Sequence, residues 1–331
     1  MNKQEKKRLN FFKKYSKNFK LIRDKLGSKM IVELDGKEVE FPDEVYLCPI
    51  CFEPFFEKDI YESKSNFLTL EDVPPQSLGG KQILLTCKNC NNESGRVLDN
   101  LLKMSMETEQ VFKRKTKAPI KTRFQIGESN IGGTLNYNKE KGFEMNIIGK
   151  SNPNAKTDIN DFFENWGKAS MNMKFTAPNH RKVGISLLRI AYLKMIEHFC
   201  CCMYLEENVL KIRDQLFNPD DEIIKTLSTF NFTFKKENIG IHIITEPVKY
   251  ATYLVIFSTH LTGYEKINCI PFPGPYKTGM ESYENLKKMN EKIDFNIKPL
   301  TGKIDWLNED YLFEYFVIWN DYIITPCNSG S

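Results

Sequence analysis

Cys48-Pro49-Ile50-Cys51 and, after 35 intervening residues, Cys87-Lys88-Asn89-Cys90 decide how the first part of this chain folds. A C-x2-C knuckle turns the backbone tightly enough for both sulfurs to reach one ion, and two knuckles complete a tetrahedral shell. Thiolates also suit the borderline-soft character of zinc. The spacing predicts one structural Zn2+ held by Cys48, Cys51, Cys87 and Cys90. Such an ion supplies on the order of 10 kcal/mol of folding free energy. The other five cysteines lack this pattern: Cys200, Cys201 and Cys202 sit on an apolar run and read as small core residues.

Working outward, residues 3–26 have helical spacing, with Leu9, Phe12, Phe19, Leu21 and Ile22 among the charges and Gly27 as a stop. Met30 to Phe41 reads as a hairpin turning at Asp35-Gly36. Ser94 to Val111 reads as a helix, and composition changes around residues 116–121. Beyond that point Gly133–Tyr137 and Phe143–Ile148 read as strands. Val183–Leu205 is apolar almost all round, broken by a narrow stripe at Ser186, Arg189, Lys194 and Glu197, the mark of a helix buried in its own domain. Phe230, Phe232 and Phe234 alternate, as do Ile239, Ile241 and Ile243; with Tyr250–Phe257 and Tyr315–Ile318 they predict a strand-rich second half. The fold class expected is α+β in three parts: a basic helix and hairpin extension (1–45), the cysteine module (46–116) and a larger α+β domain (117–331) of recognition or regulation.

The net charge of +4 is mild, but its distribution is not. Residues 1–26 carry ten Lys or Arg against Glu5 and Asp24. Such a segment attracts phosphates, in nucleic acid or at a membrane surface. Lys13 and Lys14 within it, and Lys113, Arg114, Lys115 and Lys117 after the cysteine module, are the candidate nucleic-acid contacts. Phe11, Phe12, Tyr15 and Phe19 between the charges read more as packing residues than as stacking platforms for bases. No run is long and apolar enough to span a membrane, and no secretory signal is visible. Nine cysteines without such a signal predict reduced thiols and a cytoplasmic location.

Between the knuckles lies Leu68-Thr69-Leu70-Glu71-Asp72-Val73-Pro74-Pro75, then Ser77-Leu78-Gly79-Gly80-Lys81, and Cys90 is followed by Asn91-Asn92-Glu93-Ser94-Gly95. Over roughly residues 46–105 this order resembles the HNH (His-Me finger) endonucleases, specifically their zinc-knuckle subset. The resemblance implies a treble-clef-like ββα-metal module in which a hairpin and the following helix hold a catalytic divalent ion. Glu71 matches the acidic metal ligand and Asn91 the ligand at the helix start; Gln82 falls loosely where many members have an orienting Asn. An ion with so few protein ligands, Mg2+ or another divalent cation, keeps positions open for a phosphate oxygen and the leaving 3′ oxygen.

One position departs from the pattern. Where the family has its catalytic histidine this chain has Asp72, and His180, His198, His242 and His260 all lie outside the module. An imidazole accepts a proton at neutral pH, whereas an ordinary aspartate is a weak base. Three readings stand open. Asp72 acts as a base with a raised pKa or as a second metal ligand; a histidine from elsewhere, His180 being the candidate, completes the site; or the site is silent. The resemblance accordingly implies a metal-dependent endonuclease hydrolysing phosphodiester bonds in DNA, in a setting such as bacterial anti-phage defence, with activity directed by a partner or ligand of residues 117–331. The alternative is a zinc-dependent nucleic-acid-binding module that has lost the general base.

Overall fold

Asn2 opens the first helix by accepting a hydrogen bond from the Glu5 amide while Glu5 accepts one from the Asn2 amide, a reciprocal cap. The computed structural model describes residues 1–25, 31–34, 37–40, 44–62, 65–113, 119–126, 129–148, 155–165, 171–174, 179–200, 203, 207–224, 234–274, 278–289 and 293–300. Helix α1 (Lys3–Lys25) is followed by the hairpin of β1 (Ile31–Leu34) and β2 (Lys37–Glu40). Both match the sequence reading, although the turn residues Asp35 and Gly36 lie outside the described residues.

The cysteine module follows in the order knuckle, hairpin, helix. β3 (Tyr46–Leu47) and β4 (Pro54–Phe55) flank the first knuckle. β5 (Leu68–Val73) and β6 (Lys81–Cys87) form the antiparallel hairpin, with an irregularity between Glu71 and Asp72. Cys87 then caps α2 (Lys88–Ser94), which continues through a π-helical turn (Gly95–Asp99) into α3 (Asn100–Phe112). The turn between β5 and β6 requires its two glycines. Gly79 takes a left-handed φ of 81°, and a Cβ on Gly80 would lie 1.4 Å from the Pro74 carbonyl oxygen.

A four-stranded antiparallel sheet comes next, in the order β10-β7-β8-β9, built from β7 (Ile120–Ile126), β8 (Ser129–Asn138), β9 (Gly142–Ile148) and β10 (Met171–Lys174). Helix α4 (Ala155–Glu164) covers it through Phe162, which packs with Phe124, Ile126 and Ile131. After α5 (His180–Phe199) and α6 (Glu207–Phe217), a second four-stranded sheet has the order β13-β12-β11-β14: β11 (Gly240–Glu246), β12 (Thr252–Leu261), β13 (Tyr264–Pro273) and, beyond α7 (Gly279–Lys287), β14 (Asn296–Pro299). The architecture is α+β. No helix among the described residues is long and apolar enough to cross a membrane.

Helix α5 begins at the Asn179 cap, whose side chain accepts from the Lys182 amide, and stops at Phe199 because Cys200 turns to a φ of 54°. The sequence pattern placed its end at Leu205; no Gly or Pro marks the true stop. Its surroundings also differ from expectation. Rather than filling the core of the second half alone, α5 lies in one continuous core that joins Phe12 and Tyr15 of α1, the knuckle residues Cys48, Cys87 and Cys90, and Phe257 and Phe272 of the second sheet. The Tyr192 hydroxyl donates to the carbonyl of Pro49 inside the first knuckle. The composition change near residue 116 therefore does not divide the core. Phe230, Phe232, Tyr315–Ile318, Cys201, Cys202 and Cys327 lie outside the described residues.

Candidate metal centre and the acid pair

The four sulfurs of Cys48, Cys51, Cys87 and Cys90 lie within 4.8 Å of one another. The Cys51 and Cys87 sulfurs are 3.8 Å apart. A tetrahedral ion with Zn–S bonds of about 2.3 Å sets its sulfurs about 3.8 Å apart, so the donor set fits. Local backbone makes this arrangement. In the first knuckle the Phe52 amide donates to the Cys48 carbonyl, with Phe52 held at a φ of 61°. The Cys87 amide donates to the Cys48 sulfur and the Cys90 amide to the Cys87 sulfur, each at 3.4 Å, contacts that favour thiolate over thiol. Burial pushes the Cys48 thiol up, while hydrogen bonding from Cys48 and the other two thiols draws Cys87 down. A dication removes that conflict by holding all four as thiolates. The four cysteines lie close enough together to hold a metal ion such as zinc.

The hairpin places the two acids differently. A bulge re-aims neighbouring side chains, and here Glu71 turns inward while Asp72 stays half-buried opposite Gln82. Glu71 is 3% exposed, and both its oxygens are engaged: Oε2 accepts from Thr86 Oγ1 at 2.6 Å, and Oε1 accepts from Arg189 Nη2 at 2.8 Å. Arg189 comes from α5 and is 2% exposed; its other terminal nitrogen lies 3.9 Å from Asp99, in the π-helical turn. The buried Glu71 and Arg189 and the partly buried Asp99 thus form one cluster beside the hairpin. Burial raises the Asp99 carboxyl to about 6 against the pull of Arg189. Arranged this way, each Glu71 oxygen is engaged by a side chain inside the fold.

Asp72 is the less enclosed acid. Partial burial and the charge of Glu71 raise its carboxyl above the ordinary range, and Lys7 opposes the shift. Lys7 Nζ donates to Gln82 Oε1 at 2.7 Å, which ties α1 to the same end of the hairpin. Asn91 uses its amide nitrogen on the strand, donating to Thr69 Oγ1 at 2.9 Å and to the Leu70 carbonyl at 3.4 Å. The structure therefore groups Glu71, Asp72, Asn91 and Gln82 around one hairpin, as their spacing required, but turns Glu71 toward a partner 118 residues away.

The basic candidates divide. Lys13 and Lys14 are exposed on α1. Lys113 is exposed but paired with Glu109 at 2.6 Å, and Glu109 also receives Lys266. Arg114, Lys115 and Lys117 lie outside the described residues. Phe12 and Tyr15 pack in the core, the Tyr15 hydroxyl donating to the Ile83 carbonyl, so they are not open to bases. His180 is the exposed first residue of α5. The histidine that reaches the module is instead His260 of β12, whose side chain packs against the Gly79 turn and bonds to Ser258.

Arg189 and Thr86 are the site residues the motif reading left out. Arg189 stood in the narrow polar stripe of an otherwise apolar helix, and a guanidinium on a buried helix requires a buried acid as partner. That requirement, applied to Glu71, was the available signal. No protein-family model matches the chain, and no curated protein or solved structure matches it either.

Proposed function

We propose that residues 46–116 are a zinc-stabilised, treble-clef-like HNH module that binds nucleic acid, DNA in the first instance, and no longer hydrolyses it. The observation that carries this reading is the enclosure of Glu71 by Arg189 and Thr86. The guanidinium supplies inside the fold the positive charge that the resemblance assigns to a divalent ion. Unlike an ion, it has no coordination position to offer a phosphate oxygen. The substitution of the family's histidine by Asp72 points the same way, since it removes the group suited to activating water at neutral pH. Zinc at Cys48, Cys51, Cys87 and Cys90 would hold the knuckles and present the hairpin and the start of α2.

The hydrolytic reading has one observation in its favour. Asp72 is half-buried with its carboxyl raised by desolvation, the direction a general base needs. In that reading Glu71 and Asn91 would take Mg2+ once Arg189 withdrew. The two are separated with one sample of the zinc-loaded chain on supercoiled plasmid in Mg2+, Mn2+ or Ni2+. Retarded, intact plasmid is the expected result; nicking that is abolished in Glu71→Gln protein which still holds its zinc and melts cooperatively would restore the endonuclease.

A further inference from the structure

Helix α1 is anchored on one side and charged on the other. Arg8, Phe12, Tyr15 and Ser16 are buried, while Lys3, Lys6, Lys7, Lys13, Lys14 and Lys17 are exposed. At about 100° per residue those six lysines fall within an arc of about 120°, and at 1.5 Å per residue they run for about 21 Å. Glu5, the acid of the first turn, lies outside the arc and is committed to the Asn2 cap. Among the described residues none of the six is ion-paired; Lys7 donates to Gln82, and Lys14 lies over the Tyr15 ring. The buried side fixes the stripe's direction, so the charges cannot rotate away from one another.

We propose that this stripe is a docking surface for the phosphate backbone of double-stranded nucleic acid, read without base contacts. The proposal deepens the nucleic-acid reading above and rests on it. A duplex carries one charge per about 1.7 Å of its axis, so a stripe of this length faces about a dozen phosphates. Proteins that take single strands offer aromatic platforms to the bases; on α1 the rings of Phe12 and Tyr15 are 1% and 5% exposed, and Phe11 packs partly against the core with Tyr15 on one side and Lys7 over it. A helix lying in a membrane interface must turn its apolar face to lipid, and among the described side chains of α1 the apolar ones, Leu9, Phe11, Phe12 and Tyr15, are taken up by the core. The Lys7–Gln82 bond sets one end of the stripe beside Asp72, which opposes Gln82 across the hairpin, so a docked duplex runs past the acid pair.

The test uses the full zinc-loaded chain and a labelled random-sequence duplex of about 20 base pairs, titrated from about 50 to 200 mM NaCl. The comparison protein carries Lys6→Glu, Lys13→Glu and Lys17→Glu; its zinc content and melting are checked first, and Lys→Gln at the same positions serves if the reversal unfolds it. The wild type is expected to lose affinity steeply with salt. Removing three phosphate contacts should flatten the log–log slope by about 2.7 and weaken binding at least tenfold at the lower salt. An unchanged slope with duplex binding intact overturns the stripe while leaving the module's nucleic-acid reading standing. Failure of the wild type to bind duplex at any salt overturns both. Tighter binding of oligo-dT or of phosphatidylserine vesicles than of duplex, lost in the same variant, overturns it in favour of a single strand or a membrane.

Discussion

Glu71 of the β5–β6 hairpin and Arg189 of α5 meet at 2.8 Å with side chains 3% and 2% exposed, across 118 residues of sequence. Breaking such a pair leaves one charge buried and unpaired, which costs more than the pair itself contributes.

Arg189→Met should therefore destabilise the zinc-loaded chain by about 3–5 kcal/mol, and Glu71→Gln should cost a comparable amount. The double substitution Glu71→Gln with Arg189→Met should cost clearly less than the two single changes added together. Urea melts of the four proteins measure the coupling; strictly additive losses would show that the two side chains do not depend on each other.

Zinc analysis should return one ion per chain, lost when Cys87→Ser removes a ligand. Because structural zinc contributes on the order of 10 kcal/mol to small modules, chelation should unfold the two knuckles. Their neighbours in the shared core, Tyr192 and the start of α2, should lose amide protection with them. Protection unchanged by complete metal removal would assign the cysteines to packing alone.

The sign of the pH dependence follows from Asp99. Its carboxyl is raised from 3.8 to about 6 by burial, so the folded state holds this proton more tightly than the unfolded state. Stability from this group is present at low pH and falls as pH rises through that interval. The full interval corresponds to about 3 kcal/mol. Asp99→Asn should gain on the wild type between pH 5 and 7.5 by roughly half of that. A difference that stays flat, or runs the other way, contradicts the burial of this carboxyl.

Gly80→Ala tests the hairpin turn. The added methyl would meet the Pro74 carbonyl at 1.4 Å, and overpacking of this kind costs about 1–3 kcal/mol. The melting temperature should fall, while the same change at the open Gly95 should not lower it. Equal tolerance at both positions would mean that the turn is looser than described.

Much of this was legible in the sequence because it is local. The two C-x2-C knuckles turn within four residues, and α1, the β1–β2 hairpin and β8–β9 follow from short periodicities. Chemistry that depends on distant partners was not. The pairing of Glu71 with Arg189 leaves no local mark, because the two are 118 residues apart in sequence. The end of α5 was missed because Cys200 takes a positive φ without glycine. The expected boundary near residue 116 followed composition, which does not report that α5 would be shared between the knuckles and the second sheet.

The most direct test of the account is a Mn2+ titration of the zinc-loaded chain, followed by calorimetry beside Glu71→Gln. On the proposed reading, in which Arg189 takes the place of a cation, the wild type should hold one zinc and show no second site, and the two titrations should superimpose. A further equivalent of Mn2+ bound by the wild type and lost in Glu71→Gln would contradict it, and would mean that Glu71 is a metal ligand after all.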